Sequence, residues 1–315
     1  MPIIFFLSLS LWSYLIIVND KERFLSFLKF EKRFSEHTIV AYTIDLTQYY
    51  DYLQVQYQMD DAGASTHFII RSWIVSLMEL GLDPRSVSRK VTTLRTFYRF
   101  LVKVKRIERT PMLKVQAPKV SKKLPEYLDD NKMAILLKPN IDEDNAFEST
   151  RDLLILDFFY RTGVRLSELI NLKITDINLF NLTVKVLGKR NKVRMIPITM
   201  NFKSALTEFL LMRNDFLIHH DVKHDFVFPD NKGNQMSPNF VYRRVKAMIS
   251  IVSTGRKRSP HVLRHSFATS MLNHGADINA IKELLGHSSL AATQVYTHNS
   301  IEKLKEIYKQ AFPKA

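Results

Sequence analysis

The chain contains no cysteine. That excludes disulfides, thiolate zinc sites and cysteine-held iron–sulfur clusters, and it suits the reducing cytoplasm. Glycine is scarce, eight in 315 residues, and none falls in a GxxxxGK[ST] phosphate loop, which argues against ATP-driven chemistry. Acidic residues are too few to balance the basic ones, 31 against 46, and no acidic cluster suits a two-metal site. The net charge of +15 and pI near 9.8 call for a polyanionic partner: nucleic acid, an anionic membrane surface or an acidic protein. Long apolar runs are missing apart from Pro2 to Val18, which carries no charge. It falls short of the roughly 20 residues that span a bilayer, no basic residue precedes it, and no small-residue cleavage site follows. Residues 1–18 are therefore read as a translated upstream stretch, with the start near Leu15 to Val18. A signal anchor or marginal span is the alternative.

What is present is a globular composition, 46% hydrophobic and 24% charged, long enough for two cores. Residues 19–108 read as helical throughout. Asp20 is placed as the cap of a helix carrying Phe24, Leu25, Phe27 and Leu28. Ser35 to Thr38 opens a longer one with Leu46, Tyr49 and Leu53 on its stripe. A third spans Ser65 to Leu80, and Asp83-Pro84 starts a fourth that runs to Lys105. Residues 109–125 hold three prolines and five basic residues without an acid, an extended linker with the charge of a strap across phosphates. Residues 1–108, the linker and residues 126–315 carry net charges of +3, +5 and +7, so the basic character is spread over the whole chain.

The C-terminal part, 126–315, mixes elements. Helices are expected at Asp129–Leu137, Glu148–Arg161, Ser167–Leu172, Asn201–Asn214, Ser237–Val252, His261–Asn273, Ile278–Leu285, Leu290–Tyr296 and Ile301–Ala311. Leu182–Leu187 and Val193–Ile198 alternate around a turn at Gly188–Asn191, a hairpin with Lys189 at its tip. The fold class is thus mostly α with a small antiparallel sheet: a helical N-terminal domain followed by an α+β domain.

Four groups in the last sixty residues suggest phosphodiester chemistry without a cofactor. His261 and Arg264 are i,i+3 on one helical face, His287 follows the helix-closing Gly286, and Tyr296 comes nine residues later. A tyrosine can attack phosphorus, an arginine can hold the phosphate oxygens, and histidines can move protons. His261 and His265 are i,i+4, but Val262 stands where a zinc protease needs Glu and no third ligand is near, so no metal site is read. Upstream, Arg165 and Glu168 share a face at a helix start, an arginine with its own orienting carboxylate.

TGVRLSEL, VLGKRNKVRMIPI and HVLRHSFATSMLNHGADINAIKELLGHSSLAATQVYTH together resemble the three boxes of the tyrosine recombinases, and within them the Xer recombinases, over residues 20 to the end. The resemblance implies an N-terminal SAM-like core-binding domain and a catalytic domain that cuts and rejoins DNA. Tyr296 would form a 3′-phosphotyrosyl link, Arg165 and Arg264 would grip the non-bridging oxygens, and Lys189 would protonate the leaving 5′-oxygen, with Lys192 as the fallback. His261 would assist proton transfer, His287 would bond the phosphate, and Glu168 would buttress Arg165 or His261. No cofactor is implied. Val164, where Leu is common, is a silent departure.

By the same resemblance Arg85, Arg89, Lys90 and Arg95 on the fourth helix should contact DNA. Lys119, Lys122 and Lys123 of the linker should join them, as should Arg243, Arg244, Lys246, Arg256, Lys257 and Arg258 of the catalytic domain. Most of these would bind phosphate rather than read bases. The last helix would dock on a neighbouring protomer in a homo- or hetero-tetramer on two dif-like sites, with an FtsK-type translocase as a further partner and no membrane involved. A mobile-element integrase of the same superfamily and a DNA-binding relative without catalysis are the rival readings.

Overall fold

The computed structural model describes residues 19–120, 126–138, 142–188, 192–255, 258–286 and 305–308. It divides into two units, Met1–Lys123 and Leu124–Ala315.

In the first unit the helix starts fall where short polar side chains can take up free N–H groups. Helix α1 (Asn19–Ser26) widens into a π turn at Phe27–Glu31. Then come α2 (Glu36–Tyr57), α3 (His67–Glu79, capped by Thr66) and α4 (Pro84–Lys103). Asp83 accepts the Arg85 N–H at 2.7 Å, and Pro84 fills the first turn, where its missing donor costs nothing. Val87, Val91, Leu94, Tyr98 and Leu101 of α4 recur at helical spacing and are fully buried against Phe24, Leu46, Tyr49, Leu53 and Trp73.

Three expectations for this unit need correction. Asp20 lies inside α1 rather than outside it. It is buried and accepts from Arg106 Nε at 3.1 Å, and Arg106 Nη2 also reaches Asp61 at 2.9 Å, tying the start of the unit to its end. The linker does not begin at 109: Pro111–Lys114 forms a 3-10 turn, and Met112 and Val115 join the core. Composition counted its prolines and lysines but not the two apolar anchors between them. Lys90 is not a surface cation. Its ammonium is buried and donates to Asp45 at 2.9 Å, while Thr93 donates to the same carboxylate at 2.8 Å and Arg89 pairs with it from the rim.

In the second unit α5 (Asp130–Leu136), α6 (Ala146–Thr162) and the one-turn α7 (Leu166–Ile170) precede strands β1 (Ile177–Asn178), β2 (Thr183–Leu187) and β3 (Val193–Pro197). The sheet order is β1-β2-β3, antiparallel throughout, with Val184 opposite Ile196 and Val186 opposite Arg194. Helices α8 (Met200–His219), α9 (Pro238–Val252), α10 (Pro260–Asn273) and α11 (Ile278–Leu285) follow. Their core centres on Leu156, Phe158 and Phe159 of α6 with Phe202, Phe209 and Phe267.

Strand β1 has only two residues, too short to show a period, so the expected hairpin becomes a three-stranded sheet. Helix α8 passes the expected end at Asn214 and continues to His219, because Leu217 is buried while the polar residues around it face out. The Leu290–Tyr296 helix lies outside the described residues. Of the expected last helix, 305–308 is described. Tyr308 there is buried, and Ile307 packs on the same core, that of its own unit.

Removing one partner of a buried ion pair costs about 3–5 kcal/mol, whereas a surface truncation stays within about 0.5 kcal/mol. Asp45→Ala should therefore lower the stability of the N-terminal unit by several kcal/mol and Arg85→Ala by almost nothing. Urea unfolding of the full chain measures both, and equal midpoints would contradict the assignment.

Candidate active site

The site is assembled where the α6–α7 turn, β3, α10 and the C-terminus of α11 meet. Gly163 ends α6 in the left-handed conformation (φ 59°), and a Cβ there would stand 2.5 Å from Phe267 and 2.8 Å from Leu285. Only glycine meets both conditions. The turn delivers Arg165 to the start of α7 in an extended conformation (φ −79°, ψ 155°). Glu168, three residues on, accepts the Arg165 backbone N–H at 2.7 Å, the reciprocal half of a capping box. Its other oxygen accepts from Arg165 Nη1, also at 2.7 Å.

Three arginines from three elements then cap one helix end. The carbonyls of Leu284, Leu285 and Gly286 close α11 and have no intrahelical donor. Arg194 Nε on β3 donates to Leu284 at 2.7 Å, Arg264 Nη2 on α10 to Leu285 at 2.6 Å, and Arg165 Nη2 to Gly286 at 3.3 Å. Arg264 Nη1 also donates to the Gly163 carbonyl at 2.5 Å. The negative end of the helix dipole favours cations at this spot. Among the described residues Glu168 is the single carboxylate bonded to them, so three guanidinium groups stand against one acid.

Burial alone would raise the Glu168 carboxyl. The paired bonds and charge of Arg194, with those of Arg165, outweigh it and hold the group at about 2. Arg264 moves the other way, down to about 10, first through burial and then through the nearby charges of Arg165 and Arg194. It stays protonated at neutral pH. Such a cradle, rigid and short of negative charge, suits an oxyanion that presents two oxygens.

Arg165, Glu168 and Arg264 are thus brought together. Of Glu168's two expected partners Arg165 is engaged, and none of the described bonds of Glu168 goes to His261. His261 is exposed one turn before Arg264 on α10, and His265 faces away, edge-on to Tyr127 at 6.3 Å. Lys189, His287 and Tyr296 lie outside the described residues; Gly188 and Gly286, which precede the first two, are at the cradle. Arg194 is not among the site residues read from the sequence. It is 3% exposed and bonds the cradle's carboxylate and its helix end. The available signal was its place in β3, on the same face as Ile196.

Among the expected DNA contacts, Arg85, Arg89, Lys119, Arg243, Arg244 and Lys246 are exposed. Arg89 and Arg244 are also paired, with Asp45 and Asp152. Arg95 donates to the Val115 carbonyl at 2.9 Å, and Arg258 to Ser250 Oγ at 2.9 Å. Lys122, Lys123, Arg256 and Lys257 lie outside the described residues.

The profile of the phage integrase family matches residues 127–303, and that of the phage integrase N-terminal SAM-like domain matches 22–105. The chain belongs to the phage integrase family. It is a tyrosine recombinase, an enzyme that breaks and rejoins DNA strands. Tyrosine recombinase XerC of Chlorobaculum parvum is 36% identical, over 93% of this chain and 94% of that protein. Tyrosine recombinase XerD of Staphylococcus haemolyticus is 35% identical, over 93% of this chain and 98% of that protein. The fold is similar to that of the XerH site-specific recombinase bound to palindromic difH substrate in a post-cleavage complex. The TM-score is 0.65 at 24% identity, covering 86% of this chain and 79% of that one.

The recombinase cradle makes a pH-dependent contribution to stability. Glu168 is depressed on folding, so its contribution is full above the ordinary value of 4.5 and fades as pH falls toward about 2. Glu168→Gln should cost about 2–3 kcal/mol at neutral pH, inside the roughly 5–15 kcal/mol of a folded domain. The gap between wild type and variant should narrow as pH is lowered below about 4.5. Urea midpoints across pH test this, and a gap independent of pH would contradict the pairing.

Proposed function

We propose that the chain is a site-specific recombinase that cuts DNA through a 3′-phosphotyrosyl intermediate at Tyr296. The observation that carries this reading is the three-arginine cradle, with two of its arginines at the positions of the family's boxes. In the reaction the Tyr296 oxygen forms a bond to the scissile phosphorus while the bond to the 5′-oxygen breaks. The tyrosine proton passes to a base, for which His261 is the candidate, and Lys189 gives a proton to the departing 5′-oxygen. Arg165 and Arg264 hold the non-bridging oxygens as charge builds in the pentacoordinate transition state, and His287 adds a hydrogen bond. The phosphotyrosine keeps the energy of the broken bond, so a 5′-hydroxyl from another strand can reseal it without ATP.

Relatives named XerC and XerD match at 36% and 35% identity, which favours neither partner role. The finer reading is a Xer-type enzyme acting in the cytoplasm on dif-like sites, as a homo- or hetero-tetramer, to resolve chromosome dimers, with an FtsK-type translocase as activator. Among the described residues no helix is long and apolar enough to cross a membrane.

A nicked suicide duplex carrying a dif-like site tests the chemistry. Wild type should form a covalent adduct, and Tyr296→Phe should bind the duplex but form none. Arg165→Ala or Arg264→Ala should slow the adduct by about 10²–10³-fold. Absence of any wild-type adduct, on this site or on mobile-element ends, would leave the non-catalytic reading standing. The salt dependence of binding tests the surface cations. Arg85→Ala should reduce the log–log salt slope by about 1, whereas Lys90→Met, which removes a buried charge, should leave it unchanged.

A further inference from the structure

Arg194 occupies an unusual place for a strand residue. It sits on the inward face of β3, opposite Val186, and its side chain is 4% exposed. All three guanidinium nitrogens are bonded. Nη1 and Nη2 form a fork on Glu168 at 2.9 and 2.7 Å, and Nε holds the Leu284 carbonyl at 2.7 Å. A planar fork with a third donor at its side is something only arginine offers.

Two glycines border it, and Gly286 is the one whose lack of a Cβ leaves it room. A Cβ on Gly286 would lie 3.3 Å from Arg194 Cδ and 3.4 Å from Nη1, and Gly286 is already in the left-handed conformation (φ 63°). A Cβ on Gly188 would lie 3.5 Å from Nη1 and 3.5 Å from Glu168 Oε1. Gly188 is itself fixed by donating to the Lys192 carbonyl at 2.8 Å across the mouth of the hairpin. The backbone therefore closes on the guanidinium from two directions, and the next residues along the chain are Lys189 and His287.

We propose that Arg194 is a positioning residue of the cleavage site. It fixes the Glu168 carboxylate that aims Arg165, and it is the surface against which the backbone before Lys189 and before His287 is set. One buried side chain thus meets three separate segments, at Glu168, Gly188 and Gly286, without itself being a phosphate ligand. This inference rests on the recombinase reading, since it assigns a role within that reaction.

The test uses the full chain, the nicked suicide duplex and Arg194→Lys, which keeps the charge but loses the fork. DNA affinity, thermal melting and the single-turnover rate of adduct formation at saturating protein are measured together. The expected result is affinity within about threefold of wild type and a cleavage rate lowered about 100-fold, the scale of losing one oriented transition-state contact. A purely structural role would lower the melting temperature while the bound complex cleaved at the wild-type rate, and that result overturns the proposal. A duplex with sulfur in place of the bridging 5′-oxygen reads the hairpin arm separately. A thiol leaves without needing a proton (its pKa is near ~8.5), so the part of the defect that runs through Lys189 should vanish and the part through Arg165 should remain. If Arg194→Lys does not melt cooperatively, Glu168→Gln reads the same path: cleavage slowed at least tenfold with affinity kept supports the proposal, and unchanged cleavage overturns it. No adduct from wild type sinks the recombinase reading and this inference with it. A wild-type adduct with undisturbed variants sinks this inference alone.

Discussion

The capping of α11 by three arginines is the contact on which the rest of the catalytic unit depends. Three like charges do not gather without acceptors to hold them. The successive carbonyls of Leu284, Leu285 and Gly286 provide one each, and Glu168 provides the compensating charge. Because the donors come from β3, α10 and the α6–α7 turn, the same bonds that satisfy a helix end also fix the mutual placement of those elements. The three guanidinium groups are oriented by the protein's own bonds, so on the proposed reading a phosphate meets donors that are already placed.

The N-terminal unit uses the same device for a different end. Asp45 gathers Arg89, Lys90 and Thr93 at the centre of the α2–α4 contact, and Asp20 and Asp61 gather Arg106. In both units some of the basic residues are structural, locked to carboxylates. The net +15 already subtracts those carboxylates, so the surplus is undiminished; what the pairing changes is which cations stand exposed, Arg85, Lys119, Arg243 and Lys246 among them.

Much of this was legible in the sequence. Apolar spacing placed the long helices, Gly286 marked a helix end, and the i,i+3 relation of Arg165 to Glu168 gave a bonded pair. Other features were hidden for physical reasons. A period-two pattern assigns Arg194 to a face but cannot say that a carboxylate and a helix end are waiting there. Lys90 reads as a surface charge on α4 because its partner Asp45 is on another helix, 45 residues away. Met112 and Val115 were outvoted by the lysines and prolines around them. In each case a local signal was overridden by a contact distant along the chain.

The spans of the cradle's bonds have a consequence for how the protein comes into being. Arg194 reaches across 90 residues to Leu284, Arg264 across 101 to Gly163, and Arg165 across 121 to Gly286. Such long-range closures form late in folding, after local helices and hairpins. During synthesis the arginines of the first box and the hairpin emerge long before the helix end that will order them. Until α11 is made, a nascent chain carries basic patches able to touch nucleic acid but no assembled centre able to cut it.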